Sequence, residues 1–130
     1  MSARDVSKRS MACVGAKDRE GWLDLFADDG IVEDPIGPSM FDPDGRGHRG
    51  RDAIGRFFDS AIAPNQRIEF DITASYECSS EVANVGTIIT TLSDGTQVRV
   101  SGVFVYKVNG QGKLESLRAY WEQDKVEFLS

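Results

Sequence analysis

The sequence predicts an α+β domain in which three N-terminal helices pack on one face of a curved antiparallel sheet. Apolar residues recur at helical spacing in three segments before Pro64, and after it the period changes to two. Residues 93–95 and 109–112 are turn sequences between long alternating runs, as in β-hairpins. We therefore expect residues 1–130 to form one domain that is long enough to bury a core.

The first two helices are predicted from apolar periodicity and capping residues. The first covers residues 3–16. One of its faces carries Val6, Ser10, Cys13 and Val14. The second begins after Asp18, a good N-cap residue, and ends at residues 28–30. Its predicted buried stripe consists of Trp22, Leu25 and Phe26.

The third helix has the strongest helical pattern in the chain and lies between Gly50 and Pro64. Its apolar positions are Ile54, Phe57, Phe58, Ala61 and Ile62. Before it, the glycine-rich segment from Gly37 to Gly50 predicts a loop at the rim of the domain. After it, the sequence predicts four antiparallel strands. The first includes Ile68, Phe70 and Ile72, and the other three fall at about residues 82–92, 98–108 and 114–126.

Charge and cysteine usage narrow the range of partners. A formal net charge of −6 argues against a nucleic acid or a membrane surface, which both require a basic face. Cys13 and Cys78 are far apart without a nearby histidine, so we expect buried thiols, no metal site and no cofactor; a single disulfide is the alternative. The chain opens with polar residues and has no apolar run of signal or membrane length, which predicts a cytoplasmic protein.

One short segment, residues 30–37, combines two acids with β-branched residues, a proline and a glycine. It predicts a strand that ends at a loop, because Pro35 forces Asp34 into an extended conformation. Successive side chains of a strand face opposite sides, so Glu33 and Asp34 cannot act as a pair. The alternation alone does not decide which acid faces inward. A charged strand end before a turn is the alternative to a functional acid.

The last two predicted strands carry aromatic and small residues on their inner faces. Phe104 and Tyr106 share one face of the third strand with Gly102, and Leu117, Ala119 and Trp121 share one face of the last. The small residues at 102 and 119 predict a gap in the core that aromatic rings would line. The alternative is that these rings fill the core completely.

Five segments resemble the bacterial Δ5-3-ketosteroid isomerases, in an order that covers nearly the whole chain. They are residues 25–29, 32–37, 53–58, 108–113 and 116–119. The resemblance implies the cone-shaped fold of nuclear transport factor 2 and of SnoaL-like proteins, and it is strongest to actinobacterial members. It also implies a homodimer formed by the outer face of the sheet, with Val103 and Val105 in the contact.

The resemblance implies roles for five residues. Asp34 matches the general base that moves a proton from C4 to C6 of a steroid, so its carboxylate would face the cone and Glu33 would face outward. Four residues match pocket-lining positions: Phe57, Leu117, Ala119 and Trp121. Together with Phe26 and Phe104, these four are expected to bind a small apolar, steroid-like ligand.

The sequence departs from the family at the two groups that stabilise the negative oxygen of the intermediate. Ser10 stands where the family has a tyrosine, and Phe104 where it has a protonated aspartic acid. Neither side chain replaces those donors, so the oxyanion hole is rebuilt elsewhere or is missing. Tyr106 lies on the Phe104 face, and His48 is interpreted as a solvated loop residue, with a position at the mouth of the cone as the alternative.

Two functions follow from these residues. The first is an isomerase, or another proton-transfer enzyme acting next to a carbonyl group, with Asp34 as base. The second is a binding protein for a flat apolar molecule, in which Asp34 only accepts a hydrogen bond. Asp34 favours catalysis, whereas Ser10 and Phe104 favour binding or a different reaction.

Overall fold

The computed structural model describes residues 1–129 as three helices and a seven-stranded sheet. The helices are α1 (Ala3–Ala16), α2 (Arg19–Leu23) and α3 (Arg51–Phe57), and α3 continues into a π-helical segment, Phe58–Ile62. The strands are β1 (Phe26–Glu33), β2 (His48–Arg49), β3 (Arg67–Cys78), β4 (Glu81–Thr91), β5 (Gln97–Val108), β6 (Leu114–Tyr120) and β7 (Glu127–Leu129). The predicted α+β class and the three helices are confirmed.

The sheet has the strand order β2-β1-β6-β5-β4-β3, and β7 pairs with β5. Most neighbouring strands are antiparallel, but β1 runs parallel to β6. The prediction of a purely antiparallel sheet is therefore wrong at this pair. A parallel pair needs a long crossover connection, and here the chain between β1 and β6 includes α3 and the three long strands.

Helix α1 is fixed at its start by a capping box between Ser2 and Asp5. Its buried face carries Val6, Ser10 and Val14. This face packs on β3, β4 and β5, so the first helix covers the concave side of the sheet. The predicted helix bounds and the predicted inward face are confirmed.

The second helix is shorter than its apolar pattern predicts, and Phe26 belongs to β1 instead. Helical spacing would place Phe26 on the same helix face as Trp22. Instead, the backbone of Phe26 pairs in the sheet, where its register partner is Leu114. The Arg51 guanidinium also donates to the Phe26 carbonyl oxygen at 2.6 Å. These contacts with distant parts of the chain outweigh the local preference for a helix, because helix propensity over two residues is a small effect.

The last strand ends at Tyr120, six residues earlier than the alternation predicts. The chain then forms a 3-10 turn, Gln123–Lys125, and returns as β7 against the start of β5. It crosses β5 at Gly102, where an added Cβ would overlap the Tyr120 carbonyl oxygen and lie 3.0 Å from Trp121 Cβ. The predicted gap at Gly102 is therefore filled by the chain itself.

The loop from Gly37 to Gly50 holds one short strand that the sequence did not reveal. In β2, Arg49 and His48 pair with Ile31 and Val32 of β1. Both cysteines are free, but Cys78 is exposed and Cys13 is half-buried, so the expectation of two buried thiols is wrong. Across residues 1–129, no helix has both the length and the apolar character of a membrane span.

Candidate active site

A cavity of about 470 Å³ lies between the concave side of the sheet, α1, α3 and the rim loop. Most of the side chains along its wall are apolar. The polar groups that reach its interior include Ser10, Asp34 and Tyr106. A volume of this size is typical of pockets that enclose a small molecule.

Asp34 follows the last residue of β1 and reaches this cavity. The indole N–H of Trp121 donates to its Oδ1 at 2.6 Å. Burial raises the pKa of the Asp34 carboxyl, while the Trp121 hydrogen bond and the nearby His48 lower it in part. The peptide bond that joins Asp34 to Pro35 is cis. The result is one half-buried carboxyl group with a raised pKa in an apolar cavity.

Glu33 points away from the cavity. Its Oε1 accepts a hydrogen bond of 3.1 Å from Nε of Arg118, which stands beside it on the parallel neighbour β6. The two adjacent acids therefore face opposite sides, as a strand requires. The inward acid is Asp34, which is the orientation that the family resemblance implies.

Four of the six expected ligand-binding residues line the cavity. They are Phe57, Phe104, Leu117 and Trp121. Phe26 does not: its side chain is fully buried and packs edge-on against Trp22, with ring centroids 5.0 Å apart. Ala119 is also absent from this wall, because it is buried within the sheet, where its carbonyl oxygen accepts from the Ile36 N–H at 3.1 Å.

The mouth of the cavity is formed by residues that sequence reasoning did not select. Met40 and Phe41 of the rim loop and Phe128 of β7 line it, and all three are exposed. The Phe41 ring stands edge-on to the Phe57 ring at 6.4 Å. The alternation of β7 and the apolar pair in a glycine-rich loop were the only available signals.

His48 is not the solvated side chain that its loop position predicts. It is half-buried, and its ring lies 4.8 Å from the Phe57 ring. Pairing of β2 with β1 turns this histidine toward the helix. His48 is therefore close enough to Asp34 to affect the pKa of its carboxyl group.

The groups present at this site suit proton transfer or hydrogen bonding. Within residues 1–129, no three His, Cys, Asp or Glu side chains come together in a way that could hold a metal ion. A carboxylate with a raised pKa can accept a proton from a weakly acidic carbon or hold a polar ligand group. The apolar wall excludes water and strengthens either interaction.

Comparison with known proteins places this chain in a family. Residues 8–117 match the model of the SnoaL-like domain, so the chain belongs to the SnoaL-like family. Its structural neighbours include a Δ5-3-ketosteroid isomerase from Mycobacterium sp., with a TM-score of 0.92 and 41% identity. That match covers 97% of this chain and 97% of the other.

A second neighbour is RV0760c from Mycobacterium tuberculosis. It matches with a TM-score of 0.92 and 41% identity over 97% of this chain and 95% of the other. A structure of RV0760c in complex with estradiol-17beta-hemisuccinate matches with a TM-score of 0.91 and 41% identity, over 97% and 98% of the two chains. The resemblance to actinobacterial ketosteroid isomerase-like proteins is therefore confirmed.

Proposed function

We propose that this protein catalyses a ketosteroid isomerase-like proton transfer next to a carbonyl group on a steroid-like ring substrate. Asp34 is the general base. The observation that carries the proposal is the half-buried Asp34 carboxyl group, which reaches an apolar cavity of about 470 Å³ and has a raised pKa. A base whose pKa is tuned toward the working pH is more effective in proton transfer.

The proposed reaction moves one double bond. Asp34 takes a proton from C4 of a 5-en-3-one steroid, and the electron pair of the broken C–H bond flows toward the C3 oxygen. The resulting dienolate then takes the same proton back at C6. The double bond has moved from C5–C6 to C4–C5, and the carboxylate is regenerated. Hydrogen-bond donors at the C3 oxygen lower the barrier because charge develops there.

Two comparisons support the steroid-like substrate class. A neighbour at 41% identity is a Δ5-3-ketosteroid isomerase, and another at the same identity binds estradiol-17beta-hemisuccinate. Four apolar side chains of the cavity wall can pack against a flat apolar ring system. They are Phe57, Phe104, Leu117 and Trp121. We propose these four residues as substrate-binding residues.

The rate is expected to be low compared with the well-known isomerases. Phe104 has no donor, and the Ser10 side chain is short and already accepts a bond from Trp22. Removal of one oxyanion donor typically costs a factor of 10² to 10³. We expect isomerisation to be slower than in those enzymes by about 10² to 10⁵. The lower limit applies if one of the two donors is replaced by another group, and the upper limit if neither is.

The test is isomerisation of a 5-en-3-one steroid, followed by the ultraviolet absorbance of the conjugated product. Asp34→Asn should remove most of the activity and leave steroid binding intact, since amide and carboxylate are nearly the same size. Glu33→Gln is the matched control, because Glu33 faces outward and pairs with Arg118. An activity of zero in the natural sequence, or one indifferent to Asp34→Asn, rejects the proposal.

The second candidate function is non-catalytic binding of a flat apolar molecule. The observation that favours it is Phe104, an apolar side chain where the family has a donor. Binding is tested by tryptophan fluorescence in a Trp22→Phe background, so that Trp121 supplies the signal. Trp121→Ala in the same cavity should weaken steroid binding; unchanged affinity, measured by calorimetry, would contradict the assigned cavity.

We also propose a homodimer and a cytoplasmic location. Val103 and Val105 are only half-buried on the outer face of β5, next to the exposed Tyr120, and such a patch favours self-association. The exposed free thiol of Cys78 favours a reducing compartment. A solution mass of one chain at micromolar concentration would reject the dimer, and Val103→Glu should shift a dimer to monomer.

A further inference from the structure

Tyr106 is a buried phenol at the cavity that the proposed reaction has not used. It lies on the inner face of β5, where its register partners are Val82 and Leu117. Its side chain is 4% exposed and contributes to the cavity wall. Asp34 lines the same cavity. Burial raises the pKa of Tyr106, and the negative charge of Asp34 raises it further. The phenol and the carboxyl group therefore both lie on the wall of one cavity.

Ser10 and Trp22, which line the same cavity as Tyr106, form a hydrogen-bonded pair. The indole N–H of Trp22 donates to Oγ of Ser10 at 2.9 Å, and both side chains are fully buried. An indole nitrogen is only a donor, so the Ser10 oxygen is the acceptor and its own proton must point elsewhere. Among residues 1–129, no backbone carbonyl takes that proton, although Ser7 in the same helix does donate to one.

Tyr106 is the neighbour that can receive the Ser10 proton. Helix α1, which carries Ser10, packs on β5, and both side chains line the cavity. Ser10 also lowers the pKa of the Tyr106 phenol. If the phenol oxygen accepts from Ser10, the phenol proton is left to point toward the cavity. In the part of the chain that the structure describes, Tyr106 donates to no protein acceptor.

Three other polar groups along the cavity already donate to protein acceptors. Nδ2 of Asn65 donates to the carbonyl oxygens of Ala61 and Ile62, and Nε2 of Gln123 donates to that of Pro38. The indole N–H of Trp121 is taken by Asp34. Tyr106, by contrast, combines an uncommitted donor with a position on the same cavity wall as the Asp34 carboxyl group.

We propose that the Tyr106 hydroxyl donates a hydrogen bond to the carbonyl oxygen of the bound ligand. Ser10 and Trp22 act as positioning residues that direct the phenol proton into the cavity. The proposal rests on the proposed function for the identity of the ligand. In the enzyme, Tyr106 is a catalytic residue that stabilises the oxyanion from β5, two residues along from Phe104. Consecutive hydrogen bonds from Trp22 through Ser10 to Tyr106 would polarise one another, which strengthens the Tyr106 donor.

The test is the infrared stretching frequency of the C3 carbonyl group of a 4-en-3-one steroid, isotope-labelled at that carbonyl and bound to the protein. A strong donor lowers this frequency relative to the steroid in an apolar solvent. Tyr106→Phe keeps the ring and removes the donor, so most of the downshift should be lost. Tyr76→Phe is the matched control, since Tyr76 is 66% exposed on β3 and lies outside the cavity. A full downshift in Tyr106→Phe overturns the proposal.

Isomerase kinetics give a second measurement. Tyr106→Phe should lower kcat by about 10² to 10³ and change KM far less, because charge on the oxygen develops only in the transition state. Ser10→Ala should give a smaller loss of kcat and a smaller carbonyl downshift, and Ser10→Thr, which keeps the hydroxyl, should restore both. A Ser10→Ala protein that folds, by circular dichroism, and keeps the full downshift overturns the role of Ser10.

The two proposals fail separately. If isomerisation depends on Asp34 but the carbonyl frequency ignores Tyr106→Phe, the proposed function stands and Tyr106 is not the donor. If the natural sequence shows no isomerisation but its carbonyl downshift disappears in Tyr106→Phe, Tyr106 is the ligand donor of a binding protein and the enzymatic proposal fails.

Discussion

The indole N–H of Trp121 and the Asp34 carboxyl group form a 2.6 Å hydrogen bond between residues that are 87 positions apart. Strands β1 and β6 run side by side in parallel, so both side chains emerge at the same end of the strand pair. This bond favours the charged carboxylate, whereas burial favours the neutral acid. The pKa of the proposed base is set by the balance of the two effects.

Trp121→Phe should therefore raise the pKa of Asp34 further. A hydrogen bond to a charged carboxylate stabilises the charged form, so its loss favours the neutral acid. The midpoint of kcat/KM against pH should move upward. Trp22→Phe is the control for loss of an indole, because Trp22 donates to Ser10 and should leave this midpoint in place. A midpoint that stays in place in Trp121→Phe would show that this hydrogen bond does not affect the pKa of Asp34.

Asp34→Asn should stabilise the protein at neutral pH. The folded pKa of Asp34 lies above the ordinary value of 3.8, so its contribution to stability is present below that value and is lost as pH rises through the folded pKa. Asparagine does not titrate, and its amide oxygen can still accept from Trp121. The free energy of unfolding of the variant should therefore be higher than that of the natural sequence at pH 7.

Urea denaturation of the Asp34→Asn variant at pH 7 and at pH 3.5 measures this difference. The gain should shrink at the lower pH, where the carboxyl group is largely protonated in both states. A variant that is less stable than the natural sequence at pH 7 would show that the carboxylate stabilises the fold, in conflict with its raised pKa.

Gly102→Ala should destabilise the fold and disturb the base. The new Cβ would overlap the Tyr120 carbonyl oxygen and press on Trp121, which holds Asp34. Overpacking of this kind costs about 1 to 3 kcal/mol. Gly110→Ala is the control, since an added Cβ there meets nothing within 4 Å. If the two variants had equal midpoints of thermal unfolding, the Tyr120 carbonyl oxygen at the end of β6 would not lie against Gly102.

Phe41→Ala should weaken steroid binding without changing the titration of Asp34. The Phe41 ring packs edge-on to Phe57 at the mouth, and an aromatic pair contributes about 0.5 to 1.5 kcal/mol beyond its buried area. We expect a rise in Kd of about two- to twelve-fold, mainly through faster dissociation. Stopped-flow fluorescence separates the two rate constants. Unaltered dissociation would mean that the rim loop does not retain the ligand.

The sequence predicted the fold class and the elements with strong periodicity. Helix α1 and strand β5 have long regular patterns, so their bounds and inward faces were correct. Phe26 was misplaced because its spacing from Trp22 fits a helix, while its pairing with Leu114 depends on a strand 88 residues later. No local pattern contains that information.

The candidate site was predictable in its acid and less so in its surroundings. The position of Asp34 followed from Pro35 and the family resemblance, and the inward direction of Phe104, Leu117 and Trp121 followed from alternation. The turn of the chain over Gly102 was not predictable, because a glycine in a strand does not reveal whether the space beside it is empty or occupied by backbone. In the same way, the sequence does not reveal which residues His48 contacts.

The parallel pairing of β1 with β6 has a practical consequence for redesign. Asp34 and Trp121 directly follow the paired strands β1 and β6, whereas Met40, Phe41 and Phe128 belong to the rim loop and β7 and donate no hydrogen bond to Asp34. A combinatorial library confined to those three positions would diversify ligand preference on a constant framework. Selection for a new ligand and retention of the hydrogen bond between Asp34 and Trp121 then become independent goals.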